Sequence, residues 1–267
     1  MTTIVPSPAR VEHEGGTAPS HWDLDDAINR PIAHPTQQRE YLLHNIFVAR
    51  VRREGRSASI LANVALRWDV KRRSVGVDPD VMWAEPALPE GTKSLLTWEP
   101  GRKPPRVAVE VVSEDTARKD YLEGPEKYDA SGTRELWVFD PEGFGPRDHG
   151  GPWVLQVWRR VRSGFKRVYA GTGPCFSREL GAWIVVVGDK LRVANDQAGK
   201  DLWPTADEER EAAEARAETE AAARREAEAK VRDGERAREA LEARLREVEA
   251  KLAATTGRKR PRRTPKG

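Results

Sequence analysis

An α/β domain with a mixed β-sheet flanked by helices, followed by a long charged helix, is what this 267-residue sequence predicts. Three observations carry that expectation. The run Val107-Ala108-Val109-Glu110-Val111-Val112 is too short and too rich in valine for a helix, and it reads as one buried strand. A helical stretch and a second apolar run, Glu135-Leu136-Trp137-Val138-Phe139, follow it, and strand, helix, strand in that order implies a parallel crossover. All nine Trp residues lie before position 204; beyond it Ala, Glu and Arg dominate and no aromatic occurs, so the core ends near Trp203-Pro204.

The elements follow in chain order. Residues 1–35 scatter Pro, Gly, His and Ser without a period and read as an irregular arm. Thr36 caps a helix through Arg39 to Arg52, whose core-facing stripe is expected at Tyr41, Leu42, Asn45, Ile46 and Ala49. Residues 59–68 and 75–83 are strand-like and joined by the polar turn Asp69 to Ser74, with Pro79 placing the second at a sheet edge or at a strand end as it reaches Asp80. Residues 84–105 form a Pro- and Gly-rich connection of a length that often borders a functional site. Thr116 to Ser131 is helical, broken at Gly124-Pro125 and capped by Gly132. Residues 153–160 and 165–169 make a hairpin about Ser163-Gly164, in which Trp153 and Trp158 pack the sheet, and residues 183–187 and 190–193 close the domain at 204. From 205 to 256 the chain is a charged helix of roughly 70 Å at about 1.5 Å per residue. Leu241, Leu245, Val248 and Leu252 give its end a coiled-coil seam through which copies of the chain could associate. Residues 257–267 form a basic, disordered tail that either grips phosphate or only solubilises the chain.

Composition narrows the function classes. The single cysteine, Cys175, rules out an intramolecular disulfide framework and suits a cytoplasmic protein. Neither a signal-peptide pattern nor 18 consecutive apolar residues occurs, which speaks against secretion and membrane spanning. The net charge of +3 divides into +6 in the tail, −4 over 205–256 and +1 over the domain, so a nucleic-acid role must rest on local patches and the tail. The five histidines show no metal-ligand spacing.

Glu110 is the residue that asks for an explanation. A buried carboxylate needs a cation, a donor or a proton, unless it points to water from an edge strand. Asp80 ends the preceding strand, and neighbouring strands lie about 4.8 Å apart, so the two carboxylates can converge on one divalent ion. Hard oxygen ligands without Cys or His favour Mg²⁺ or Mn²⁺ over zinc. Such a centre suits phosphodiester hydrolysis.

The ordered motifs Pro79-Asp80-Val81, Val109-Glu110-Val111-Val112-Ser113, Tyr128 with Gly132, and Glu135 to Pro141 resemble those of the Uma-type endonuclease family of the PD-(D/E)XK superfamily. The resemblance covers roughly residues 36–203. It implies a restriction-endonuclease-like core, with Asp80 and Glu110 as catalytic metal ligands. It also implies a lysine that helps orient water or stabilise the transition state. The superfamily position two after the glutamate is Val112, and the helix position four before the tyrosine is Gly124. Lys127 and Lys119 are the nearby candidates, Lys127 preferred because it follows the break at Gly124-Pro125; either could instead be an ordinary surface lysine.

Two readings of function follow. One is a metal-dependent nuclease acting on DNA; the other is a non-cleaving binding or assembly protein that keeps the fold and recruits partners through the charged helix. The paired carboxylates favour the first, and the absent lysines at Val112 and Gly124 favour the second.

Overall fold

A computed structural model describes residues 35–257, with side chains as far as 254. The expected irregular arm and the basic tail lie outside the described residues, save for their innermost positions. The chain divides into two compact units, residues 1–208 and 209–267.

In the first unit, helix α1 (Pro35–Glu54) precedes strands β1 (Ser59–Leu61), β2 (Ala65–Arg67), β3 (Gly76–Val77), β4 (Val81–Ala84), β5 (Ser94–Leu96) and β6 (Val107–Val111). A π-helical turn (Lys119–Glu123) runs into α2 (Gly124–Ala130), and then come β7 (Glu135–Phe139), β8 (Leu155–Val161), β9 (Gly164–Gly171), β10 (Cys175–Ser177), β11 (Ala182–Val187) and β12 (Lys190–Ala194). The central sheet has six strands in the order β1-β4-β6-β7-β8-β9. Only β6 and β7 pair in parallel; the other neighbours are antiparallel, so the sheet is mixed, as expected.

Every residue of β6 is buried because both faces of the sheet are covered. Side chains alternate along a strand, so Val107, Val109 and Val111 face one layer while Ala108, Glu110 and Val112 face the other. The first layer holds Leu43, Ile46 and Phe47 of α1 together with Ile184, Leu191 and Val193 from the three-stranded sheet β10-β11-β12. The second holds Tyr121 and Tyr128 from the helical segment, and Leu66, Val77 and Leu95 from a small sheet ordered β3-β2-β5. Glu110 therefore points toward the helix that crosses from β6 to β7.

Several expectations are corrected. The stripe on α1 keeps the expected Ile46 and Ala49 but is rotated at its other positions: Tyr41 is 70% exposed, whereas Leu43 and Phe47 are buried. Phe47 sets that rotation by edge-on contacts with Trp83 and Trp137, at 5.4 and 5.8 Å between ring centroids. Arg39 reinforces it by pairing with Glu142 and Asp189. The two long strand-like segments each break in two. Asn63, at φ 52°, turns the chain between β1 and β2, and the pieces join different sheets. Pro79 falls at a strand end, as expected, between β3 at the edge of the small sheet and β4 inside the central one. The hairpin about Ser163-Gly164 is formed, with Val161 opposite Gly164 at its end. Trp158 packs there, stacked on Phe165 at 6.3 Å.

The second unit is the continuation of α3 (Ala206–Gly257), a helix of 52 residues. At its start Thr205 and Glu208 form a reciprocal cap: the Glu208 N–H donates to Thr205 Oγ1 at 3.1 Å, and the Thr205 N–H donates to Glu208 Oε2 at 2.8 Å. Beyond it, ion pairs four residues apart, such as Arg224–Glu228 and Lys230–Glu226, line an exposed surface. Among the described residues no helix is long and apolar enough to cross a membrane.

Candidate active site

β4 and β6 run antiparallel with Val81 opposite Val109, and continuing that register by one residue sets Asp80 opposite Glu110 on the same face. The two residues are interlocked through the backbone. Asp80 Oδ2 accepts the Val111 N–H at 2.6 Å, and the Asp80 N–H donates to the Glu110 carboxylate. Both are buried, Asp80 at 8% and Glu110 at 3% exposure.

The helix over this face supplies the remaining groups. After β6, the Val112 N–H donates to the Phe139 carbonyl at 2.8 Å, which continues the parallel pairing past the strand end. Ser113 and Thr116 then close a side-chain turn at 3.0 Å, and the Ala117 N–H bonds back to the Ser113 carbonyl at 2.9 Å to start the helix. The Gly124 N–H reaches the Lys119 carbonyl, five residues back, and makes the π turn. Pro125 has no N–H to donate, so an ordinary helical ladder could not have run through this point. Such single π turns recur at functional sites. Downstream, Tyr128 is fully buried and its O–H donates to Glu110 Oε1 at 2.6 Å.

The electrostatics follow from this packing. Burial, and then the charge of Asp80, push Glu110 up to about 8, against the opposing pull of Lys119, Tyr128 and the Asp80 N–H. Burial pulls Lys119 down, but the charges of Glu110, Asp120, Asp80 and Asp78 together outweigh it and leave its ammonium above the ordinary value. Burial dominates at Lys127, which falls below the ordinary value although it pairs with Glu123 at 3.2 Å. Tyr128 is raised by burial and by Glu110, so it stays a donor. Of the two candidate lysines, Lys119 is the one coupled to both carboxylates. At Lys127 the pull of Glu110 comes after burial, Glu123 and Lys119.

Sequence reasoning assigned no role to Tyr128, although its motif was visible, and it did not mark Asp120, which is buried at 2% beside Lys119 in the π turn. Asp140 at the end of β7 proves to be structural. Its carboxylate accepts the N–H groups of Gly143, Phe144 and Gly145 at 2.8–2.9 Å and the Tyr121 O–H at 2.8 Å. Val112, where the superfamily carries lysine, is buried against the second layer.

Among the described residues no group of three or more His, Cys, Asp or Glu side chains gathers that could hold a metal ion. Asp80 and Glu110 offer a two-carboxylate, all-oxygen donor set. That set fits a hard ion such as Mg²⁺, which commonly takes one or two protein carboxylates and keeps several waters.

A mixed sheet carrying an opposed carboxylate pair beneath a lysine-bearing helix is an arrangement able to serve phosphoester chemistry. Residues 26–144 match the model of the Uma2 family, described as "Putative restriction endonuclease", and this bears out the resemblance read from the motifs. The matched stretch contains Asp80, Glu110, Lys119, Lys127 and Tyr128. A solved structure of a "putative nuclease belonging to DUF820" from Anabaena variabilis ATCC 29413 is 14% identical, with a TM-score of 0.36, over 52% of this chain and 70% of that one. No curated protein matches the chain.

Proposed function

We propose that this chain is a metal-dependent endonuclease that hydrolyses phosphodiester bonds in DNA, with Asp80 and Glu110 as ligands of Mg²⁺ or Mn²⁺ and Lys119 as the assisting cation. The observation that carries the proposal is the interlocked pair Asp80–Glu110 with the Lys119 ammonium in its field. A bare buried glutamate is costly, and its retention opposite a second carboxylate is accounted for by a cation between them. The match to a restriction-endonuclease family supports the choice of nucleic acid as substrate.

Each residue has a defined part. Tyr128 holds Glu110 in one rotamer through Oε1, and the Asp80 N–H adds a second donor to the same carboxylate. The Val111 N–H fixes Asp80 Oδ2 in the same way, so the pair presents a preorganised geometry. A divalent ion bound there supplies Lewis acidity toward a phosphoryl oxygen and lowers the pKa of water. Lys119 keeps its proton because the charges of Glu110, Asp120, Asp80 and Asp78 outweigh its burial, and so it supplies a positive charge to oppose the negative charge that grows on the phosphoryl group. Lys127 supports the helix through Glu123.

A second reading, a non-cleaving assembly protein, is favoured by one observation: Val112 and Gly124 occupy the two positions where relatives of this fold are expected to carry lysine. One experiment separates the readings. Supercoiled plasmid with Mn²⁺ or Mg²⁺ should be nicked and linearised by the parent and left intact by Asp80→Ala. A parent that never cleaves under either ion would favour the assembly protein.

A further inference from the structure

The exposed half of α3 carries a feature that the nuclease reading does not use. Val231, Leu241, Leu245, Val248 and Leu252 are 53–67% exposed, although they include the largest apolar side chains of this helix. They share one stripe. With Leu245 and Leu252 at a, the heptad places Val231 and Arg238 at a, and Ala227, Gly234, Leu241 and Val248 at d. Gly234, Ala237, Arg238, Leu241, Glu242 and Leu245 already line a shallow groove on that stripe.

We infer that this stripe is covered by α3 of a second copy of the same chain, in a parallel, in-register, two-stranded coiled coil over about residues 227–252. The flanking charges select that occupant. The e positions are Glu228, Glu235, Glu242 and Glu249, and the g positions include Lys230, Arg244 and Lys251. In a parallel pair each g residue meets the e residue five places on in the partner, which matches Lys230 with Glu235 and Arg244 with Glu249. In an antiparallel pair e faces e and g faces g, so glutamates would oppose glutamates and cations would oppose cations. Arg244 and Glu249 are five apart on one helix and so cannot satisfy each other within it, where neighbours are three or four apart.

Arg238 sets the number of strands. In a two-stranded coil an a position lies at the margin, where the arginine stem covers the seam and the guanidinium stays in water. Its observed partner, Glu242 at 3.0 Å, sits at e beside it and travels with it. A third or fourth strand would enclose that charge. Gly234 and Arg238 also make the 234–238 stretch the weak part of the seam, and the strong part is 241–252.

The test uses the full chain. Light scattering at tens of micromolar should give twice the monomer mass, and Leu241→Glu with Leu245→Glu should give the monomer while leaving the circular dichroism of the first unit's sheet intact. Arg244→Glu alone and Glu249→Arg alone should each weaken the dimer about tenfold, since two attractive pairs become repulsive, and the double exchange should restore it. In a Cys175→Ser background, Leu245→Cys should oxidise to a covalent dimer, because in-register a positions face their own copies. A parent that is monomeric, a trimer or tetramer mass, a dimer that survives the two Leu→Glu changes, or a double exchange that fails to recover would each overturn the inference.

Discussion

In metal-free protein, replacing Glu110 by Gln should stabilise the fold at neutral to alkaline pH and remove a pH dependence that the parent carries. Burial first, and the charge of Asp80 second, raise Glu110 from 4.5 to about 8. Between those values the folded chain keeps a proton that the unfolded chain has released. Stability therefore falls as pH rises through that window and levels off above it. At about 1.36 kcal/mol per pH unit the whole window amounts to about 5 kcal/mol at most, and the interval from pH 5.5 to 7.5 to roughly 3 kcal/mol. Glutamine has the same shape and its amide oxygen can accept the Tyr128 O–H, yet it has no charge to desolvate. Urea unfolding in chelator at pH 5.5 and 7.5 should thus show the parent losing stability relative to Glu110→Gln by a few kcal/mol. Equal pH slopes for the two proteins would refute the assignment of the buried proton to Glu110.

Lys119→Met should lower plasmid cleavage about a hundredfold or more, as loss of one charge contact to the transition state does, whereas Lys127→Met should cleave close to the parental rate; equal losses would return Lys127 to the site. Gly145→Ala should destabilise the fold by about 1–3 kcal/mol in urea unfolding, because a Cβ there overlaps the Tyr121 ring, which hydrogen bonds to Asp140 and Trp153 hold in place. Ending the chain after Glu211 should leave the thermal midpoint of the first unit within a few degrees, because it retains the Thr205–Glu208 cap and the Arg192–Glu208 ion pair.

Much of the site was legible because its strand is sandwiched between two layers. A valine run with one glutamate has few physical interpretations, and the register that sets Asp80 opposite it needs only a two-strand antiparallel pairing. The crossover from β6 to β7 followed from element order, and the hairpin at Gly164 from its turn residues. The rotation of α1 was not legible, since Phe47 seeks Trp83 and Trp137 and the periodicity of the helix alone does not reveal those partners. Nor was the placement of the lysines. The Gly124-Pro125 break was visible, but the five-residue π turn that starts at Lys119 and leads into it was not, because no periodicity of the sequence marks it. Lys119 then shares the field of the carboxylates while Lys127 pairs with Glu123. The Tyr128–Glu110 bond depends on the same turn, and only coordinates could reveal it.

In the proposed Asp80–Glu110 metal site the glutamate keeps a proton until an ion arrives, because burial first and Asp80 second raise it to about 8 in the metal-free chain. Titration calorimetry with Mn²⁺ near pH 7, run in buffers of different ionisation enthalpy, counts the protons released on binding. The predicted result is one ion bound per chain with release approaching one proton, and loss of that binding in Asp80→Asn and Glu110→Gln. Binding without proton release, unchanged by either substitution, would contradict it.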